Sequence, residues 1–578
     1  MTRNFRRLAL GASALLLTLV VAASSEAAAR RVALIDAVKN GNVATVKTLL
    51  AQKVDVNAAE ADGTTALHWA AHIGNTQLAD LLIKAGANVK AATRAGATPF
   101  ALACNKGNAG VIELLLAKGE DANAVLTGEP AVMMAARSGN ADAVKVLLAK
   151  GANANVAEGE RKQTAIMWAA SEGANSVVKV LLEAGANVNA RSKAPKPGAM
   201  GGRIPRVNDP IGLRAHRDPA WAPNTNGLEF TPVMWAAREG HIDVVKTLLD
   251  AGANVNDEKP GDGTTVLLLA VLNRHYELAS VLLDRGADPN KGPGYTALQQ
   301  LVWTRRLNAK FGPLNPEPTG TVDSLSLAKK MIDKGAKVNA QATKSFGDGY
   351  RNRFNRVGAT AFLQAAKVAD VPMMKLLIAN GADPNIKNAD EDTPLMVAAG
   401  TSILNPLEDA GTEQERYEAV KYLVEELKIP VAAVNKNGET ALHGACYSGT
   451  NSVAGYLLDH GATASLDQAN LLGWKPIQVC DGQFFAGFFK AQPQTAVYLR
   501  EYYTKIGRQA PDKPKVNDTS LLTVGAKYKV GQIVRSEGAG YVPAIDAEIK
   551  ANVAGLVKVV SVDAQSQITD TEPYVAGK

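Results

Sequence analysis

The chain of 578 residues carries a formal net charge of +7, which is a weak basic bias over this length. That charge does not by itself argue for a nucleic-acid partner, and we expect none. Three cysteines are too few, and an odd number, for a framework of disulfide bonds.

The first 28 residues are typical of a secretory signal peptide. Arg3, Arg6 and Arg7 precede an apolar run from Leu8 to about Ala23, and small residues follow it. About sixteen apolar residues are short for a membrane-spanning helix, which needs about twenty, although an uncleaved anchor remains an alternative. We therefore expect a periplasmic or secreted protein without stable membrane insertion after cleavage of the signal.

From residue 29 to about 507 one pattern returns at a spacing of about 33 residues. Its best copy is G-x-T-A-L-H-W-A-A-x-x-G around Thr65. About twelve copies begin at Val32, Thr65, Thr98, Pro130, Thr164, Thr231, Thr265, Thr296, Thr360, Thr393, Thr440 and Lys475.

Each copy predicts a pair of helices. Thr65 is a typical helix N-cap, and proline follows at the first helical position in copies such as Thr98-Pro99. After Gly240, apolar residues at helical spacing predict a second helix that stops at Gly252. Because a lone helix pair cannot bury its apolar face, each copy is stable only when it is stacked on its neighbours.

The repeated pattern resembles that of the ankyrin repeat family, and the N-terminus makes exported bacterial ankyrin proteins the nearest comparison. The resemblance implies an all-α solenoid of about twelve repeats that binds other proteins. It implies no catalysis and no cofactor. In the family, the two positions that follow the Ala-Ala pair line the concave groove, and here they vary freely.

Four segments interrupt the period, near residues 191–227, 305–324, 341–358 and 401–412. The first and third extend turns between repeats and are rich in basic residues, whereas the second falls between the two helices of one repeat. The third mixes arginine with aromatic residues, which are enriched at binding hot spots. The alternatives are a mobile loop for the first segment and, for the third, a loop folded back on the repeats with Phe346 and Phe354 covering apolar surface.

The groove positions and these inserts supply our candidates for partner contact. They are His72, Asn105, Lys106, Arg137, Arg238, Trp221, Tyr350, Arg351, Arg353, Phe354 and Arg356.

Other residues invite a chemical role that we do not expect. His68 and His72 have helical metal-ligand spacing, but no third ligand is visible, and His68 occupies a histidine position of the family. Recurring tryptophans such as Trp69 predict core packing between repeats rather than an exposed aromatic strip. The cysteines resemble small core residues, with a bridge between Cys446 and Cys480 as the less favoured alternative.

Residues 508–578 form a linker and a tail. Runs such as Leu521 to Val524 and Leu556 to Val562 favour β structure. A small β module, a strand that pairs with a partner and a tail folded along the repeats all remain open.

The sequence thus predicts a non-enzymatic, monomeric scaffold that binds another exported protein, without metal or cofactor. The alternative is that the basic inserts bind an anionic envelope polymer or surface. Such binding would weaken steeply with salt, because exposed charges are screened within about 8 Å at 0.15 M.

Overall fold

Helix pairs fill most of the chain in the computed structural model. The structure describes residues 33–159, 161–193, 229–306, 317–344, 354–403, 410–470, 473–485, 488–513, 533–537, 540–543, 556–562 and 568–573. Internal contacts divide the chain into two units. The described residues up to Lys259 belong to unit 1, and those from Pro260 onward belong to unit 2.

Unit 1 contains six helix pairs among its described residues. Residues 33–39 form the first helix of the first pair. The other helices are Val43–Ala51, Ala66–Ile73, Thr76–Lys84, Pro99–Lys106, Ala109–Ala117, Ala131–Arg137, Ala141–Ala149, Ala165–Ser171, Asn175–Glu183, Pro232–Glu239 and Ile242–Asp250. Strands β1 (Val125–Leu126) and β2 (Glu129–Pro130) pair in the turn before the fourth pair.

Unit 2 continues the pattern with six further pairs. Its α-helices are Val266–Leu272, Tyr276–Asp284, Ala297–Arg305, Ser324–Asp333, Ala361–Lys367, Val371–Ala379, Pro394–Ala399, Glu413–Lys421, Ala441–Ser448, Asn451–Asp459, Pro476–Asp481 and Pro493–Lys505. A π-helical turn covers Tyr422–Glu426, and a 3₁₀ helix covers Ala462–Asp467. The prediction of an all-α repeat fold is confirmed.

Helices begin and end at the residue types that the pattern predicted. Thr98 caps its helix by accepting a hydrogen bond from the Ala101 amide at 3.1 Å. Gly74 ends the helix Ala66–Ile73 with φ of 72°, a left-handed conformation that glycine adopts without strain.

Asparagine side chains join one repeat to the next. The Asn123 side-chain amide donates to the Gly151 carbonyl at 2.9 Å, and its oxygen accepts from the Asn153 amide at 2.8 Å. Asn155 makes the same two bonds to Gly185 and Asn187. These bonds fix the register of neighbouring repeats.

Buried histidine side chains form a second type of hydrogen-bonded contact between neighbouring repeats. The His443 Nδ1 accepts from the Thr440 amide, and its Nε2 bonds the Trp474 carbonyl, both at 3.1 Å. His68 makes the same pair of bonds to Thr65 and Ala97. These contacts account for the histidine of the repeat pattern.

The described ends of the inserts lie where the repeat period predicted, in turns between repeats or between the two helices of a repeat. The Ser192 amide donates to the Phe230 carbonyl at 3.1 Å, so the first insert leaves and rejoins the chain at one turn between repeats. The Ala342 amide likewise donates to the Ala359 carbonyl at 3.0 Å at the base of the third insert. The second insert separates the two helices of a repeat, Ala297–Arg305 and Ser324–Asp333.

The cysteine interpretation was wrong for two of the three residues. Cys446 and Cys480 form a disulfide bond, with their Cα atoms 4.7 Å apart and both side chains buried. Neighbouring first helices stack closely enough here for the two side chains to face each other, which average helix spacing does not reveal. Cys104 is free and buried, and burial raises the pKa of its thiol.

The C-terminal region contains β structure. Strands β3 (Gln483–Phe485) and β4 (Phe488–Lys490) form a hairpin between the last two α-helices. Strands β5 (Ile533–Glu537), β6 (Gly540–Pro543), β7 (Leu556–Val562) and β8 (Ile568–Pro573) form one antiparallel sheet in the order β6-β5-β7-β8. The predicted run Leu556 to Val562 is therefore a strand, whereas Leu521 to Val524 lies outside the described residues.

The buried histidine makes stability depend on pH. Burial lowers the pKa of His443 to about 4, below its ordinary 6.5. A pKa depressed by folding stabilises the protein above pH 6.5, and this stability is lost as the pH falls toward 4. The full loss is about 3 kcal/mol. We expect His443→Gln to lack this pH-dependent part of the free energy of unfolding. The measurement is urea unfolding of wild type and variant at pH 7 and at pH 4.

Another repeat of this chain has glutamine at the position equivalent to His443, so its contacts show what His443→Gln should retain. Gln299 stands three residues after Thr296, as His443 does after Thr440, and its Oε1 accepts from the Thr296 amide at 2.8 Å. Its Nε2 donates to the Ala359 carbonyl at 2.8 Å. An equal loss of stability in wild type and His443→Gln on acidification would contradict the account.

Thiol counting tests the disulfide. Unfolded, unreduced protein should expose one reactive thiol, from Cys104, and three after reduction. The matched variant Cys104→Ala should expose none before reduction. Three reactive thiols in unreduced protein, measured with a chromogenic disulfide reagent and by mass, would show that the bond does not form.

Candidate functional site

The first helices of unit 1 carry a row of aromatic and charged side chains. Two repeat positions supply these side chains. One lies four residues and the other seven residues after the residue that opens each first helix. Where the structure stacks repeats, a cation at the seventh position lies over an indole at the fourth position of the next repeat. Lys39 and Trp69 show this arrangement, as do Arg137 and Trp168.

The first cluster joins Lys39, Trp69 and Glu60. The Lys39 ammonium lies 4.6 Å from the centre of the Trp69 ring and 2.6 Å from one Glu60 oxygen. The Trp69 Nε1 donates to the other Glu60 oxygen at 2.7 Å. The hydrogen bonds from Lys39 and then Trp69 lower the pKa of Glu60, which stays ionised at neutral pH. His72 meets the Trp69 ring edge-on at 5.7 Å.

The second cluster repeats the stacked and paired cation, with arginine in place of lysine. The Arg137 guanidinium lies 5.3 Å from the centre of the Trp168 ring and pairs with Glu129 at 3.0 Å. Its second terminal nitrogen donates to the Asn105 side chain at 3.1 Å. Three different repeats therefore hold one guanidinium in place.

A third stack lies within one repeat. Arg238 covers the Trp235 ring at 4.5 Å and donates to Glu239 at 2.6 Å. Phe230 meets the same ring edge-on at 5.6 Å. Trp235 is buried in agreement with the core interpretation, but Trp69 and Trp168 are only half-buried and contribute to the surface.

The predicted contact residues fall into three groups. His72, Asn105 and Lys106 are exposed, and Arg137 and Arg238 are half-buried on this helix face. The second group lies outside the described residues and consists of Trp221, Tyr350, Arg351 and Arg353.

Phe354 and Arg356 form the third group and require a correction. They are only 5% and 1% exposed, so neither side chain presents a free surface. The Arg356 guanidinium stacks on the Trp303 ring at 4.0 Å. The C-terminal end of the third insert therefore packs into unit 2 instead of presenting these two residues to a partner.

Sequence reasoning missed Lys39, Glu60, Trp69, Glu129 and Trp168 as surface residues. The available signal was the repeat register itself, since the paired positions lie about one period apart. Apolar groups also contribute to the exposed side of unit 1. Ile73 is 40% exposed and Val125 is 65% exposed.

Within the described ranges, no group of three or more His, Cys, Asp or Glu side chains could hold a metal ion. No helix in the described part of the chain has the length and apolar composition of a membrane span.

Comparison with known proteins agrees with the repeated helix pairs. A family model described as ankyrin repeats matches residues 34–125, 122–192, 215–292 and 362–470, more than half of the chain. The chain belongs to the ankyrin repeat family. Repeats of this family are typically interaction modules, which makes the exposed face of the first helices the candidate site for a protein partner.

Similar proteins come from animals and from a bacterium. Mitochondrial disaggregase of Homo sapiens is 27% identical over 201 residues, 34% of this chain and 28% of that protein. The nuclear factor NF-kappa-B p105 subunit of Gallus gallus is 31% identical over 214 residues, 35% of this chain and 19% of that protein. The match therefore spans less than a third of either relative.

A bacterial relative is matched over most of its length. The putative ankyrin repeat protein YahD of Escherichia coli (strain K12) is 28% identical over 185 residues, 28% of this chain and 86% of that protein. Among solved structures, the human ASB11 ankyrin repeat domain is 26% identical with a TM-score of 0.35, and the match covers 44% of this chain and 98% of that domain.

Proposed function

We propose that this protein is an exported, non-enzymatic scaffold that binds another exported protein through the first-helix face of unit 1. This face is the surface of the first helices that carries Lys39, Trp69, His72, Arg137 and Trp168. The clusters around Trp69 and Trp168 carry the proposal. Each stacks a half-buried indole under a cation that is itself paired with a carboxylate, so the side chains are ordered before a partner arrives. Tryptophan and arginine are the residues most enriched at binding hot spots, and prior ordering lowers the entropic cost of association.

Two features support export. The N-terminal 28 residues, which lie outside the described ranges, have the composition of a signal peptide. The buried disulfide between Cys446 and Cys480 belongs to the kind of bond that persists in oxidising compartments. A protein acting in the periplasm or outside the cell is consistent with both, and we propose that it acts there as a monomer.

The charges of this face favour a protein over an anionic polymer. Lys39, Arg137 and Arg238 each pair with a carboxylate, so the clusters present no excess of positive charge. An anionic envelope polymer would have to use the basic inserts, whose residues 194–228 and 345–353 lie outside the described ranges. Salt-sensitive binding remains the signature of that alternative.

Capture of envelope proteins tests the proposed function. We expect full-length protein to recover a specific partner that Arg137→Glu loses, because the reversed charge repels Glu129 and removes the cation from Trp168. The expected loss is at least tenfold in recovered partner, on the order of one hot-spot contact.

The matched control is Lys179→Glu, which reverses one exposed charge on the second helix of the fifth repeat. It should recover as much partner as wild type. Equal recovery by Arg137→Glu and wild type, with both proteins folded by circular dichroism, would refute binding through this face.

A further inference from the structure

A surface cavity lies between two neighbouring second helices near the end of unit 2. The helices Asn451–Asp459 and Pro493–Lys505 pack against each other, and the cavity between them has a volume of about 450 Å³. That volume falls within the range of about 300 to 1,000 Å³ that is typical of ligand sites. The lining residues are Asn451, Pro493, Gln494, Val497, Tyr498 and Glu501.

The helix Pro493–Lys505 supplies an apolar wall of this cavity. Its lining residues recur at intervals of four positions in two adjacent rows, so they share one helix face. Val497 is 55% exposed, which is unusual for a valine on a packed helix. The Tyr498 hydroxyl lies against Gly455 of the neighbouring helix, where a Cβ atom would clash with it. Because position 455 has no side chain, the tyrosine ring can enter between the helices beside Val497.

Two acceptors at the cavity have no donor. The Asn451 side-chain oxygen is buried and has no hydrogen-bond partner. The Glu501 carboxylate is exposed and forms no ion pair within the described ranges. Buried polar atoms usually have a partner, so the Asn451 oxygen calls for a donor from outside the chain.

The charges around the cavity favour a cationic ligand. Glu501 is the one charged residue among those that line it. Burial raises the pKa of Tyr498, and the negative charge of Asp459 raises it further. The Glu413 carboxylate accepts from the Ser452 amide at 3.0 Å and from its hydroxyl at 2.7 Å. Three carboxylates therefore lie at or near the site.

The basic residues of the same helix do not neutralise this charge. Arg500 donates to Asp481 through both terminal nitrogens at 2.7 Å. The Lys505 ammonium lies 5.9 Å from the centre of the Tyr502 ring. Neither basic residue lines the cavity.

The arrangement of the acceptors selects among cations. A Ca²⁺ or Mg²⁺ ion needs more oxygen ligands than one carboxylate and one amide supply. A guanidinium is a planar fork that matches the two oxygens of a single carboxylate. An ammonium group has three diverging donors, which suit acceptors that come from two helices, as Asn451 and Glu501 do. The carbon stem of a lysine also covers apolar surface while its charged end stays in a polar environment.

We propose that this cavity binds a lysine side chain of a protein partner. The ammonium group donates to the Asn451 Oδ1 and to the Glu501 carboxylate. The carbon stem lies against Val497 and the ring of Tyr498. This site belongs to unit 2 and is separate from the first-helix face of unit 1, so it goes beyond the proposed function.

The test titrates full-length protein with Nα-acetyl-lysine amide and follows the methyl NMR signals of Val497, which Val497→Ile identifies. We expect these signals to shift as the ligand binds. Three control ligands separate the possible sources of binding. Nα,Nε-diacetyl-lysine amide removes the charge, Nα-acetyl-arginine amide replaces the ammonium, and 1,5-diaminopentane represents a free amine. Each should bind at least tenfold more weakly, on the order of one charge-assisted hydrogen bond.

Variants test the two acceptors. Glu501→Gln and Asn451→Leu should each weaken binding of Nα-acetyl-lysine amide about tenfold. Asn451→Asp should strengthen it several-fold, because it adds a carboxylate at a helix start, where a negative charge is compatible with folding. The matched control is Glu418→Gln, which removes an exposed carboxylate from the helix Glu413–Lys421 and should bind like wild type. Circular dichroism checks that each variant is folded.

Several results would overturn the inference. They are unshifted Val497 signals, equal binding of the diacetylated ligand, and unchanged affinity in both Glu501→Gln and Asn451→Leu. Equal weakening by Glu418→Gln would show non-specific attraction of charge. Tighter binding of the arginine ligand or of diaminopentane would contradict a lysine side chain as the occupant. None of these results bears on the capture experiment with Arg137→Glu, so the proposed function stands or falls separately.

Discussion

The stacking of one helix pair on the next is the constraint on which this structure depends. A pair of short helices cannot bury its apolar face alone, and the neighbouring pair supplies the cover. Small residues such as Ala70 and Ala71 are completely buried where first helices pack. Side chains such as Asn123 then bond across repeats, so neighbouring repeats of unit 1 keep a fixed register.

That register also builds the candidate binding face. Arg137 reaches the ring of Trp168 and the side chain of Asn105 only because three repeats are held at fixed offsets. Exposed ion pairs and cation–π contacts contribute little stability individually. Here these contacts hold the indole side chains in a defined orientation before a partner binds.

The repeat elements were predictable because they depend on local chemistry. Threonine caps and terminal glycines mark helix ends within a few residues of sequence. The disulfide was not predictable, because it depends on the direction in which Cys446 and Cys480 point. Nor was the burial of Arg356, which results from the end of an insert packing on Trp303. The contact between Lys39 and Trp69 joins residues about one period apart and requires the stacking geometry.

Site-specific photocrosslinking in intact cells tests the central claim most directly. A photoreactive residue at Ile73, which is exposed beside His72 on the first-helix face, should crosslink to the partner protein. The same residue at Lys179, exposed on a second helix, should not. A partner crosslinked from position 179 but not from position 73 would contradict binding through the first-helix face of unit 1.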